Sequence, residues 1–214
     1  VKDGVVLLNG QKINFRGVNR HDSDPFTGCT SSVEQAMLDL RLMKEHNINA
    51  IRTSHYPNAP WFPQLCSDYG FYVISESDLE SHGTTSLYGG NGTDKYCMLA
   101  RDPMFEEANL DRQKRNVIRD KNCASVVIWS LGNEAGYGEN FEKSGRWVKA
   151  YDPSRLLHYE RSVEEPTGHT NDVSMLDLFS RMYAPTESID AYFAGEDLGA
   201  GCNPGGTPKP YLLC

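Results

Sequence analysis

Asn133-Glu134 is the pair of residues best suited to chemistry in this sequence. It follows Ser125-Val-Val-Ile-Trp-Ser130, a run with buried-strand character, so an amide and a carboxylate emerge together at one strand end. Glycosidic cleavage needs one carboxyl group to protonate the leaving oxygen and a second to attack or activate water. Glu134 suits the first role, and Asn133 can bond a sugar hydroxyl. Glu80-Ser81-His82 sets a carboxylate and an imidazole on alternate residues. On extended backbone these share a face and can meet one cation. An oxygen-rich pair of this kind favours magnesium or manganese. His21 and His55 each follow a strand directly, and a neutral imidazole can donate to one hydroxyl and accept from another. Each feature also has a plainer reading: a loop glutamate in an ion pair, a surface histidine, a buried structural one. Trp61, Trp129 and Trp147 read first as packing residues, although indole faces also stack on sugars. Arg20 and Arg52, at strand ends, are expected to pair with carboxylates, since buried arginine needs such partners.

The elements that must position these groups alternate along the chain. Val5 to Leu8 reads as a strand entering an Asn9-Gly10 hairpin turn. Strands are then predicted at 13–19, 50–54, 71–76, 125–130, 156–160, 177–183 and from 211 onward. Helices are predicted at 32–46, 60–69, 103–121 and 140–151. In the first, Val33, Met37, Leu40 and Met43 fall on one face, and Ser32 supplies the cap. Gly70 stops the second, and Pro103 starts the third. A polar Gly- and Ser-rich loop is expected at 83–94, and 199–206 is the one low-complexity tract. Short, almost wholly apolar strands alternating with helices predict a parallel sheet with right-handed crossovers. A doubly wound sheet and a (β/α)8 barrel both fit that count. The polar residues favour the barrel, because they cluster at C-terminal strand ends, where barrel enzymes keep their active sites. No Gly-x-Gly-x-x-Gly follows the first strand, which disfavours a dinucleotide fold.

Composition narrows the classes further. The chain has 214 residues, 39% hydrophobic and 23% charged, with a net charge of −8. That is enough chain for a substantial core. No basic patch marks a nucleic-acid partner, and no apolar run approaches the roughly 20 residues that span a bilayer. The segment beginning at Val1 has no signal-peptide character and no Met, as if cut from a longer chain, so a leader upstream stays open. Six cysteines are scattered without a Cys-x-x-Cys pair. They are expected to be free thiols in a reducing, bacterial cytoplasmic compartment.

Three segments resemble the family 2 glycoside hydrolases. They are Arg16-Gly-Val-Asn-Arg-His21, then Asn49-Ala-Ile-Arg-Thr-Ser-His-Tyr-Pro57 with Gly70-Phe-Tyr-Val73, and Asp120-Lys-Asn-Cys-Ala-Ser-Val-Val-Ile-Trp-Ser-Leu-Gly-Asn-Glu134. The resemblance runs from about Gly4 to Cys214. It implies an α/β fold, a (β/α)8 TIM barrel with about seven βα units present, as one domain over residues 1–214. Glu80-Ser-His-Gly83 and Gly132-Asn-Glu-Ala-Gly-Tyr-Gly138 look like the β-galactosidase branch. That branch implies retaining hydrolysis of terminal β-D-galactosides such as lactose. By resemblance Glu134 is the general acid/base, and Glu80, His82 and Glu134 hold a magnesium ion. Asn133, His55, His21 and Tyr183 line the sugar subsite. The family's nucleophile is a Glu that follows directly on a run like Tyr211-Leu-Leu-Cys214, so this chain by itself is expected to be inactive. Further domains of a longer chain and a homo-oligomer are the implied partners. β-Glucuronidase, another family 2 activity, and a non-catalytic sugar-binding barrel remain as alternatives. Three departures stand out. Asn122-Cys-Ala-Ser125 replaces Asn-His-Pro-Ser, which is expected to loosen that loop. Pro63 and Ser67 replace an aromatic residue and Asp, read as packing variation. The loop at 164–171 is longer or more polar than the family pattern.

Overall fold

The computed structural model describes residues 1–87, 92–196 and 208–214. Strands β1 (Leu7–Leu8) and β2 (Gln11–Lys12) form the hairpin that Asn9-Gly10 predicts. Both turn residues have positive φ, 50° and 78°, as the favoured two-residue hairpin turn requires. Strands β3 (Gly17–Arg20), β4 (Ala50–Thr53), β5 (Tyr72–Glu76), β6 (Val126–Ser130) and β7 (Leu156–His158) then form one parallel sheet in chain order. Strands β8 (Phe179–Arg181) and β9 (Tyr211–Leu213) form a second parallel pair. The sheets adjoin where the Asp177 amide donates to the Leu157 carbonyl (2.9 Å). His158 Nδ1 also lies 3.0 Å from Ser180 Oγ there. The expected barrel strands are therefore present in the expected order.

Helices α1 (Val33–Glu45), α2 (Phe62–Tyr69), α6 (Glu106–Asp120) and α7 (Glu139–Tyr151) cover the outside. Between β5 and α6 lie three single turns, α3 (Thr84–Leu87), α4 (Thr93–Tyr96) and α5 (Met98–Arg101). A last helix, α8 (Thr186–Phe193), follows β8. The loop expected at 83–94 thus contains helical turns, with residues 88–91 outside the described ones. Cys202 and the tract at 199–206 also lie outside the described residues. The helix expected from Pro103 begins as a 3-10 turn, Pro103–Phe105, in which Asp102 accepts the Met104 amide. In α1, Ser32 caps the Gln35 amide as expected. Its buried stripe is Ala36, Leu40 and Met43 rather than one headed by Val33, which is 41% exposed at the first turn. Gly70 ends α2 in the left-handed conformation.

Side chains alternate across the strands. Val73 and Trp129 pack outward with Ile51 and the helices. Ile74 and Ile128 pack inward with Leu178 and with Val6 and Phe15 of the N-terminal segment. Two residues further along each strand the interior turns polar, at Glu76 and Ser130. The departures near β6 have a structural account. Ser125 Oγ donates to the Pro63 carbonyl (2.6 Å), and the Ser125 amide donates to Ser67 Oγ (3.1 Å). The 122–125 turn is held by Arg155, which donates to the carbonyls of Lys121, Cys123 and Val126. Cys29, Cys66, Cys97, Cys123 and Cys214 are free thiols. Among the described residues no helix is long and apolar enough to cross a membrane.

Asp152 joins the end of α7 to the barrel. Its carboxylate accepts from Trp129 Nε1 (3.0 Å), Arg155 Nη1 (2.7 Å) and Ser154 Oγ (2.5 Å). Burial pushes its pKa up, but these donors outweigh burial and hold it at about 2, below the ordinary 3.8. The folded value lies below the unfolded one. The resulting stability is present above about pH 4 and is lost as pH falls towards 2. D152N is expected to cost about 2 kcal/mol at pH 7. In urea unfolding across pH 7 to 3, its deficit should shrink below pH 4. A deficit that stays constant with pH would contradict the account.

Candidate active site

The mouth of the barrel is organised around two buried charges from neighbouring strands. Arg52, on β4, donates from Nε to Glu76 Oε2 on β5 at 2.5 Å, with the two side chains 3% and 0% exposed. Glu76 Oε2 also accepts from Ser130 Oγ on β6 (2.6 Å), and Oε1 lies 2.7 Å from His55 Nδ1. Arg52 Nη2 reaches on to Asn133 Oδ1 (3.0 Å), and Asn133 Nδ2 donates to Glu80 (2.7 Å). His158, fully buried behind this group, is pulled down to about 3 by burial and by Arg52, and so stays neutral. Cys214, at the end of β9, borders the same cleft as Arg52, Asn19 and Ile74, a cavity of about 240 Å³. Burial pushes its thiol up to about 12.

A second cluster holds the segment that carries Glu134. The preceding Gly132 sits at φ 143°, and a Cβ there would lie 2.6 Å from the Leu79 carbonyl oxygen. Glu134 itself has φ 39°, a left-handed conformation uncommon outside glycine. Its amide donates to Glu160 Oε1 (2.7 Å), and the Ala135 amide donates to the Tyr159 hydroxyl (3.0 Å). Arg161 Nη2 donates to Glu134 Oε1 (3.1 Å), while His82 Nδ1 lies 3.5 Å from Oε2. Glu160 is 1% exposed. Burial pushes its pKa up to about 7, against the pull of the Glu134 amide and Arg161. The Glu134 side chain is 20% exposed, open to solvent at the barrel mouth.

The sequence-derived site residues are brought together unequally. His21 and His55 meet edge-on at 5.4 Å between ring centroids, and His21 Nδ1 lies 3.4 Å from the Tyr56 hydroxyl. The two imidazoles therefore share one rim. Arg20 steadies it by pairing with Asp22 (2.6 Å) and Asp39 (3.0 Å) beneath. Both strand-end arginines thus have the carboxylate partners expected of them. Asn133 is 2% exposed, with its amide oxygen taken by Arg52 and one amide N–H by Glu80. Tyr183, at φ 52°, is 89% exposed and hydrogen-bonds to none of the described residues. It stands at the end of β8, apart from the two clusters. The expected magnesium set is not assembled. Glu80 is drawn to Asn133, Glu134 Oε1 to Arg161, and only His82 and Glu134 face each other. Among the described residues no group of three or more His, Cys, Asp or Glu side chains is placed to hold a metal ion.

Sequence reasoning missed Glu76 as the hub and missed Glu160 and Arg161 altogether. The signal was available: Glu160-Arg161 is the polar burst that ends the predicted strand at 156–160, and it was the one such burst left unread. The 164–171 loop also finds its role here. His169 lies 2.8 Å from Glu142 and 3.4 Å from Glu139 at the start of α7. Thr167 donates to Asp94 from its amide and its hydroxyl (2.5 and 2.8 Å). The polar residues dock the loop that carries Arg161.

Comparisons with known proteins agree with this architecture. The family model described as "Glycosyl hydrolases family 2, TIM barrel domain" matches residues 1–214. A beta-galactosidase from Actinobacillus pleuropneumoniae is 51% identical over 235 residues, covering 100% of this chain and 22% of that protein. One from Staphylococcus xylosus is 40% identical over 215 residues, covering 100% of this chain and 21% of its own length. The chain thus spans about a fifth of these curated relatives. Among solved structures, a beta-D-glucuronidase from Dictyoglomus thermophilum superposes with TM-score 0.69 at 24% identity, covering 91% of this chain and 34% of that one. A beta-galacturonidase from Eisenbergiella tayi gives TM-score 0.72 at 23% identity, covering 98% and 37%. These last two show a shared fold.

The close approach of backbones beside Glu134 can be tested directly. Gly136 has φ 66°, and a Cβ there would lie 2.6 Å from the Tyr96 oxygen and 2.7 Å from Cys97 Cα. G136A is expected to destabilise by about 2–4 kcal/mol, from backbone strain and overpacking together. Gly83, where a Cβ would meet nothing within 4 Å, is the control. G83A should stay within about 0.5 kcal/mol. Equal unfolding midpoints for the two variants would refute the packing described.

Proposed function

Because the chain belongs to glycosyl hydrolase family 2, as its TIM-barrel domain, we propose that it forms the acid/base half of a retaining β-galactosidase active site. The observation that carries this reading is the seating of Glu134. Its carboxylate opens to the barrel mouth while its backbone is pinned by Glu160 and its side chain by Arg161. The β-galactosidase relatives, up to 51% identical along the whole of this chain, support galactose as the sugar. Five free thiols are in keeping with a reducing compartment.

In this reading Glu134 gives its proton to the glycosidic oxygen as the bond to the aglycone breaks. It then removes a proton from the incoming water, as microscopic reversibility requires. The attack on the anomeric carbon belongs to a second carboxylate about 5 Å away, and we assign it to no residue of this chain. His55 is held by Glu76, and His21 lies against it, so the two imidazoles offer donors and acceptors to sugar hydroxyls at one rim. The exposed phenol of Tyr183 is free to close on a bound sugar from the β8 side.

The test is E134Q in the intact protein. Turnover of lactose, a poor leaving-group substrate, should fall by about 10²–10⁴-fold, the usual contribution of a positioned acid/base. Undiminished lactose hydrolysis would exclude Glu134 from the role. A parent protein that hydrolyses a nitrophenyl β-glucuronide but not the galactoside would overturn the choice of sugar.

A further inference from the structure

We infer that Arg161 is a positioning residue for the acid/base, a fork that locks the Glu134 carboxyl group in the orientation needed for proton transfer. The inference rests on the reading of Glu134 given above. Three nitrogens of one guanidinium meet three carboxylates: Nη2 with Glu134 (3.1 Å), Nε with Glu160 (3.2 Å) and Nη1 with Glu164 (3.2 Å). Its Cζ lies 5.4 Å from the centroid of the Tyr96 ring, which backs the planar group. Glu160, its neighbour in sequence, spends its other oxygen on the Glu134 amide. Two consecutive residues after β7 therefore grip one residue after β6 at both main chain and side chain.

The grip has work to do. Glu134 is at a backbone conformation that residues with a Cβ rarely adopt, in a segment without regular secondary structure. A side chain on such a segment keeps a single orientation only if its surroundings fix it. A general acid must come within about 2.6–3.2 Å of the oxygen it protonates. Misplacement by about 1 Å can cost about a hundredfold. Lysine cannot replace the guanidinium, because one ammonium on a flexible stem does not hold Glu134 and Glu164 as two fixed donors do. The guanidinium is itself fixed by Glu164, in the loop docked through Thr167 and His169.

The experiment compares R161M and R161K with the parent in the intact protein, using kcat/KM for two galactosides. Lactose needs its leaving oxygen protonated, whereas a dinitrophenyl galactoside departs as a stable anion. Both variants are expected to lose about 10- to 100-fold in kcat/KM for lactose. For the dinitrophenyl substrate they should change by less than about threefold. Loss of both values by the same factor, the mark of a merely structural role, would overturn the proposal. So would R161K with parental kcat/KM on lactose, a variant that keeps the charge and the aliphatic stem. E134Q is run alongside. If E134Q shows the lactose-selective loss and R161M does not, Arg161 alone is refuted. If E134Q hydrolyses lactose normally, the reading of Glu134 fails, and the proposal with it.

Discussion

The ion pair between Arg52 and Glu76 is the interaction on which the rest of the barrel mouth depends. Both side chains are almost fully enclosed. A charge in that position is tolerable only when paired and fully hydrogen-bonded, and removing one partner of such a pair typically costs about 3–5 kcal/mol. Here the remaining valences are filled by groups from other strands and loops: Ser130, His55, Asn19 and Asn133. Each partner that satisfies the pair is thereby fixed in place. β-Sheet hydrogen bonds align the strands, but they leave the side chains at strand ends free to turn. The buried pair removes that freedom for His55 and Asn133. Asn133 in turn fixes Glu80.

The same logic repeats one shell further out, at lower burial. Arg161 is half-buried and gathers Glu134, Glu160 and Glu164. Glu160 is enclosed enough that its own ionisation is opposed, with its pKa at about 7. The inner pair is shielded by the barrel wall. The outer one relies on loops, docked by His169 between Glu139 and Glu142 and by Thr167 on Asp94. The barrel thus fixes His55 and Asn133 from its strands, while the placement of Glu134 depends on loop packing.

How much of this was legible in the sequence follows from the range of each interaction. Local signals read correctly: Ser32 capping its own helix, Asn9-Gly10 turning the hairpin, and Gly70 closing α2. The pairing need of Arg20 and Arg52 was also legible, because a buried guanidinium demands a carboxylate whatever the fold. Which carboxylate was not, since Glu76 comes into reach of Arg52 only through the parallel register of β4 and β5. Arg161 could be picked out as a polar residue at a strand end, but its partners could not, for a related reason. Nothing in the order Tyr159-Glu160-Arg161 says that adjacent side chains will converge on one residue 26 and 27 positions earlier. The turns between β5 and α6 escaped because each has four residues, too few to show a helical period, and α8 went unpredicted although it is as long as α2. Tyr183 was identified by motif, and its position is set by β8, which the inner network does not reach.

Glu80, His82 and Glu134, expected as a metal set, do not form such a group among the described residues. Glu80 and Glu134 are acceptors with strong donors already at hand, an amide from inside and a guanidinium from outside. These donors draw Glu80 and Glu134 to different partners, Asn133 and Arg161. Arg161 takes Oε1 of Glu134 at 3.1 Å, and Oε2 lies 3.5 Å from His82 Nδ1.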